Sequence, residues 1–184
     1  MKRKILYVLS LGFITLHCMA QKYNAVYIEA GGNTLIYSVN YDRIIPISTQ
    51  FRLAPRVGFS YFPYTSKNNN RDYTNIRIPL ELNLLWGKTQ TSRNFVEAGF
   101  GLSLIGLIGG YKTDSQGNIT SEIVNKNAKV GVIRLGYRYQ KPKGGLMFRA
   151  GALIPVSQDE YSEQKMGDDI FYRIYGGLSL GYSF

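Results

Sequence analysis

Residues 75–86 read Asn75-Ile76-Arg77-Ile78-Pro79-Leu80-Glu81-Leu82-Asn83-Leu84-Leu85-Trp86, and their alternation decides the fold class. Ile76, Ile78, Leu80, Leu82, Leu84 and Trp86 share one face of an extended chain, while Asn75, Arg77, Glu81 and Asn83 share the other. Successive side chains of a strand point to opposite faces, so a strict period of two predicts a strand with one apolar and one polar side. Pro79 and Leu85 are the two positions out of pattern.

Working outward, the same code returns near the C-terminus. There Ile170, Tyr172, Ile174, Leu178, Leu180, Tyr182 and Phe184 oppose Arg173, Gly177, Ser179, Gly181 and Ser183. No helical period of any length occurs from Tyr23 onward. Eight alternating segments are predicted, over about 23–32, 35–45, 51–61, 73–86, 94–108, 128–140, 145–156 and 169–184. Most have the roughly 9 to 11 residues that a tilted strand needs to cross a bilayer. Tight connections at 46–49, 88–92 and 141–144 alternate with longer ones at 66–72, 112–127 and 157–168. Outer-membrane barrels have this asymmetry of short periplasmic turns and longer external loops. The connection at 32–34 is the exception, being short on the side where long loops are expected.

The N-terminus predicts export. Lys2, Arg3 and Lys4 precede an apolar run from Ile5 to Leu16 and then Cys18-Met19-Ala20, the pattern of a signal peptide over residues 1–20. The run is short for a membrane-spanning helix, and His17 before Cys18 is large for a lipoprotein processing site. Cleavage after Ala20 leaves residues 21–184 as one domain. It also removes the single cysteine and the single histidine. The mature chain then has no thiolate, no imidazole base, no zinc site of the usual kind and no disulfide. No cofactor and no enzymatic activity are expected. The formal charge of +10 drops by three with the leader. The remaining arginines are scattered singly through apolar stretches instead of gathered in a run, which argues against nucleic acid as a partner.

Alternation alone leaves open which face meets solvent, because a soluble barrel would hide its apolar set. Three features choose. The polar set comprises Arg52, Arg56, Arg77, Arg134, Arg138, Arg149 and Arg173 with Glu29, Asp42, Glu81 and Glu97, and holds almost no lysine; arginine suits confined, bidentate ion pairs. Gly58, Gly99, Gly101, Gly136, Gly151, Gly177 and Gly181 crowd the same face, leaving room for guanidinium stems in a tight lumen. Aromatic residues cluster at strand ends, Tyr41, Trp86, Tyr139 and Tyr182 toward one rim and Tyr61 and Tyr172 toward the other, as membrane-interface girdles do. The expected fold is therefore all-β: an eight-stranded antiparallel up-and-down transmembrane β-barrel.

Those eleven charged residues form the expected lumenal charge network, filling an interior just wide enough for side chains. The favoured reading is a plugged barrel with a structural or surface-interaction role. The alternative is a narrow channel preferring anions, since lumenal arginine outnumbers acid. A lipid-modifying enzyme has least support without histidine. Pro55, Pro79 and Pro155 are expected to mark bulges or strand ends. Lys129, at a strand start on the lipid side, is expected to snorkel to the headgroups. The acidic stretch with Asp159, Glu160, Glu163, Asp168 and Asp169 lacks the spacing that wraps calcium.

Leu178, Leu180, Tyr182 and Phe184, alternating and ending on an aromatic carboxyl terminus, resemble the assembly signal of outer-membrane barrels. That resemblance implies the barrel-assembly machinery as a partner. Over nearly the whole mature chain the pattern resembles the small OmpA/OmpX-type eight-stranded barrels. The segment Ile78-Pro79-Leu80-Glu81-Leu82-Asn83 followed by Trp86-Gly87-Lys88 resembles uncharacterised porin-like outer membrane protein families. The resemblance implies a monomer in the outer membrane of a Gram-negative cell, surrounded by its lipid. It identifies no task and no ligand for the external loops.

Overall fold

The computed structural model describes the backbone of residues 22–66, 71–113, 119–158 and 174–184, and the side chains of 22–65, 73–108, 127–156 and 174–184. The predicted leader, Arg173, Tyr172 and the acidic stretch lie outside the described residues. The strands are β1 (Asn24–Gly31), β2 (Tyr37–Arg43), β3 (Ile45–Pro46), β4 (Phe51–Ser66), β5 (Arg71–Trp86), β6 (Asn94–Thr113), β7 (Ile119–Gln140), β8 (Gly145–Gln158) and β9 (Tyr175–Ser183). All pairings are antiparallel, and β2 and β3 are two pieces of one stave interrupted at Ile44. Each stave pairs with its sequence neighbours, and β1 closes the ring on β9, from Ala25 opposite Ser183 to Gly31 opposite Gly177. The result is a closed eight-stranded up-and-down barrel with no free edge.

Its polarity is inverted relative to a soluble domain. Leu178, Leu180 and Tyr182 are 58–60% exposed, while the adjacent Ser179 and Ser183 are at most 2% exposed. On β5, Leu80, Leu82, Leu84 and Trp86 face out, and Glu81, Asn83 and Leu85 face in. An apolar exterior around a polar interior is stable only where the surrounding solvent is hydrocarbon. In that solvent closure is required, because an open edge would leave backbone donors and acceptors unpaired. Trp86, Tyr41, Tyr139 and Tyr182 lie on the outer face at the turn end, with Phe51 opposite Trp86. Tyr61 lies at the other rim, where the Tyr37 hydroxyl donates to its carbonyl.

Several details differ from the sequence expectation. β6 and β7 run on to Thr113 and from Ile119, through much of what reads as loop. Two register shifts, between Gly109 and Tyr111 and between Tyr111 and Thr113, break the period of two there. Of the three prolines, only Pro155 adjoins a bulge, between Val132–Pro155 and Gly131–Ser157. Pro55 and Pro79 interrupt a ladder without shifting it. Pro55 sits where the second stave breaks, since Asp42 pairs with Arg56 and Ile45 with Leu53 while the two positions between are unpaired. At Pro79 the β4 ladder skips from Val57–Leu80 to Ser60–Arg77 while the β6 ladder continues unbroken. In each case the ladder gives up two rungs beside a proline, which offers no N–H. Leu85 turns inward into a small apolar cluster with Ile44, Ala54 and Phe95 that closes the turn end of the lumen.

If the outer face lies in lipid, Leu82→Arg near the middle of the belt should cost about 2–4 kcal/mol of folding free energy in liposomes. Urea titration of the refolded protein measures it, and a neutral substitution would show that Leu82 does not face hydrocarbon.

Candidate functional site

The interior is built in three levels. In the middle, the inward positions of seven staves bring together Glu29 (β1), Asp42 (β2), Arg56 (β4), Glu81 (β5), Glu97 (β6), Arg134 and Arg138 (β7), and Arg149 (β8). The side chains in these ion pairs are at most 1% exposed. Arg56 donates to Glu29 at 2.5 Å and to Glu81 at 2.9 Å. Arg134 donates to the same two carboxylates at 2.7 and 3.1 Å. Arg149 bonds Glu81 at 2.8 Å, pairs with Glu97 and lies 3.9 Å from Glu29. Arg138 pairs with Asp42 and approaches Glu97 at 3.5 Å.

This level holds four guanidinium groups and four carboxylates among the described residues. Charges taken out of water must be paired and hydrogen-bonded to be tolerated, and an equal number of each sign permits it. Planar guanidinium groups bridge two or three carboxylates each, which lysine would do poorly. Neutral side chains add further bonds, while Arg134 Nε and Nη1 and Arg138 Nε are buried without a hydrogen-bond partner among the described residues. Asn40 Oδ1 accepts from Arg56 at 2.7 and 3.0 Å, the Tyr27 hydroxyl accepts from Arg149 at 3.2 Å, and Ser179 donates to Glu29 at 3.3 Å. Tyr27, Asn40, Ser38 and Ser179 are absent from the sequence-derived site, though their strand parity, shared with Glu29, Asp42 and Arg173, marks the same face.

Arg52 and Arg77 do not join this cluster. Arg52 sits at the turn end, its guanidinium 4.6 Å above the Phe95 ring and donating to the carbonyls of Thr89 and Gln90 at 2.9 and 2.8 Å. Arg77 sits toward the opposite end and donates to the Thr34 carbonyl at 2.9 Å. Among the described residues, the arginines in excess of acid, Arg52 and Arg77, are therefore held on backbone carbonyls at the two ends, outside the balanced level. Arg173 is outside the described residues. Leu178, Leu180, Tyr182 and Phe184 all project outward from the last stave, exposed and apart from the lumen.

The third level explains the short first connection. Instead of rising from the barrel, Gly32–Thr34 forms a single 3₁₀ turn folded into its mouth, with all three residues buried. Ser103 Oγ on β6 donates to the Asn33 carbonyl at 2.7 Å and to its side-chain oxygen at 3.0 Å. With Arg77 on Thr34, two staves distant in sequence hold the turn inside. The turn needs left-handed backbone at Gly31 (φ 70°), Gly32 (φ 61°) and Leu35 (φ 69°). A Cβ on Gly32 would also stand 2.1 Å from Glu29 Oε2, an atom fixed by Arg56. The sequence signal was the length of the connection and its paired glycines.

No protein-family model matches the sequence, and no curated protein matches it. Among solved structures, the N-terminal β-barrel domain of Pseudomonas aeruginosa OprF aligns over 90% of this chain and 98% of that one, with TM-score 0.45 and 12% identity. The barrel assignment rests on this chain's own strand pairings.

Glu81→Gln, which leaves three arginines short of a charge, is expected to destabilise the folded barrel by about 3–5 kcal/mol. Lys88→Gln on an exposed turn should stay within about 0.5 kcal/mol. Urea unfolding in the same lipid measures both, and equal midpoints would contradict a load on the buried network. Gly32→Ala should cost more than about 1 kcal/mol, since alanine at positive φ is strained; an unchanged midpoint would mean the turn is not held in the mouth.

Proposed function

We propose that the chain resides in a bacterial outer membrane as a closed, non-conducting and non-catalytic barrel, with a task that is structural or carried by the hairpins on its long-loop side. The observation that carries this reading is the filled lumen: an apolar cluster at the turn end, a charge-balanced layer in the middle and an inward turn at the mouth. Each carboxylate of that layer is committed to arginine and cut off from solvent, which suits a stopper and not a general acid or base, whose proton must reach a substrate.

The hairpins offer the surface such a role needs. β4 climbs from Phe51 at the girdle, and ten residues at about 3.3 Å each, tilted by roughly 35–45°, carry it about 25 Å to Tyr61, the height of an apolar band. Beyond that level the β4–β5 hairpin continues, with Phe62, Tyr64 and Tyr73 stacked in a row at centroid separations of 6.4 and 5.6 Å. Stacked rings on this hairpin present apolar area with little entropy left to lose on binding. Assembly by the barrel-assembly machinery through Leu178, Leu180, Tyr182 and Phe184, and a monomeric state in outer-membrane lipid, belong to the same proposal.

Purified protein in planar bilayers is expected to give no steady conductance, and a large stable conductance would overturn the closed-lumen reading. Fractionation of expressing cells should place a band whose gel mobility changes on boiling in the outer-membrane fraction. Recovery of soluble, detergent-free protein would overturn the location.

A further inference from the structure

The turn end holds a polar cluster that the mid-lumen network does not use. Arg52 of β4 and Gln140, the last residue of β7, are 5% and 2% exposed. Both abut the connection between β5 and β6. Arg52 Nη2 donates to the Thr89 and Gln90 carbonyls, and the Gln140 backbone N–H donates to the Arg93 carbonyl at 2.8 Å. Arg52 Nη1 and both polar atoms of the Gln140 carboxamide are nonetheless buried without a hydrogen-bond partner among the described residues. Buried polar groups are nearly always paired, so three such atoms on two side chains of one cavity point to an occupant.

That cavity, of about 20 Å³, also has Lys22, Lys141, Ile44 and Phe95 in its lining, the last two being members of the apolar cluster. One water-sized body needs roughly 10–15 Å³, so the space takes a single small particle and excludes an oxyanion such as phosphate. Its lining carries three cations, Arg52, Lys22 and Lys141, and no carboxylate among the described residues. The acids of the network do not serve it, because Asp42 and Glu97 are committed to Arg138 and Arg149. A terminal oxygen of Phe184 accepts from the Asn24 N–H at 3.1 Å. Lys22 is held across the β7–β8 turn by its backbone N–H, which donates to the Pro142 carbonyl at 3.1 Å. A guanidinium without an acid partner, beside two lysines and shielded from water, favours an anion over a neutral water molecule. We propose that this cavity binds one monovalent anion of the size of chloride. The anion accepts hydrogen bonds from Arg52 Nη1 and Gln140 Nε2, and Gln140 Oε1 accepts from a rim lysine. Occupied in this way, the site ties β4 to the end of β7 on the turn side of the apolar cluster.

Chlorine-35 line broadening tests this on full-length protein refolded in nonionic micelles and titrated with sodium chloride against a constant background of sodium gluconate. The wild type should show a saturable excess line width. Gln140→Glu places a carboxylate in the cavity beside Arg52, and Arg52→Gln removes the guanidinium charge. Each should weaken chloride binding by at least about tenfold, as the loss of a hydrogen bond to a charged group does, while the boiling-dependent gel shift is kept. Lys143→Gln removes a cation from the same turn as Lys141 but outside the cavity lining, and should bind chloride as the wild type does. No saturable broadening in the wild type, which a cavity holding only water would give, would overturn the proposal. So would binding undiminished in folded Gln140→Glu, or a loss in Lys143→Gln as large as in Gln140→Glu. The wild-type titration and Gln140→Glu decide the matter even where Arg52→Gln does not fold.

Discussion

Everything in this molecule follows from the requirement that charges removed from water inside a narrow tube be paired. Glu29 and Glu81 are the hinge of that requirement, because Arg56, Arg134 and Arg149 all converge on them. Seven of the eight staves contribute a charged member to this level, so the network joins residues that the backbone ladders alone would hold only to their neighbours. A lone ion buried this way would be prohibitively costly, and a half-complete set worse than an apolar filling. The barrel therefore has to form as a whole, with every stave in its register, before the interior is tolerable. Space is made for the long arginine stems by small residues on the same face: a Cβ at Gly99 would stand 2.0 Å from Asn83 Oδ1, and one at Gly101 2.8 Å from a methylene of Glu81.

The exterior obeys the opposite rule with the same strands. Because a period of two assigns each residue to one face, the polarity of the lumen and that of the belt are written by one alternation. That is why so much was legible before the coordinates. Residues 75–86 announced both faces, and Glu29, Asp42, Arg56, Glu81, Glu97, Arg134, Arg138 and Arg149 could be placed on one side by parity alone. Parity carries no information on height, however. Arg52 and Arg77 share the inward face, yet sit near the two ends and bond backbone carbonyls. Neither could parity show that Leu85 belongs to an apolar seal, since its role depends on Ile44, Ala54 and Phe95 arriving from three other segments. Beyond the belt the code lapses, as bulges in β6–β7 shift the register and hide strand within apparent loop.

The inward turn at Gly32–Thr34 bears most on function. A connection at the long-loop end folds into the mouth and occupies it with backbone carbonyls held by Ser103 and Arg77 instead of with bulky side chains. On the proposed reading the interior, filled at both ends, exchanges nothing with either compartment. The proposed surface role therefore falls to what projects from the barrel, such as the stacked rings of the β4–β5 hairpin.

The central claim is that the four mid-lumen arginines, Arg56, Arg134, Arg138 and Arg149, are locked to carboxylates away from water. Side-chain Nε–Hε exchange measured by proton–nitrogen correlation spectroscopy in micelles tests it directly. Arg56, Arg134, Arg138 and Arg149 should give four signals that persist at neutral pH and exchange far more slowly than that of exposed Arg93. Exchange of those four as rapid as that of Arg93 would mean a water-filled channel, and would contradict the account.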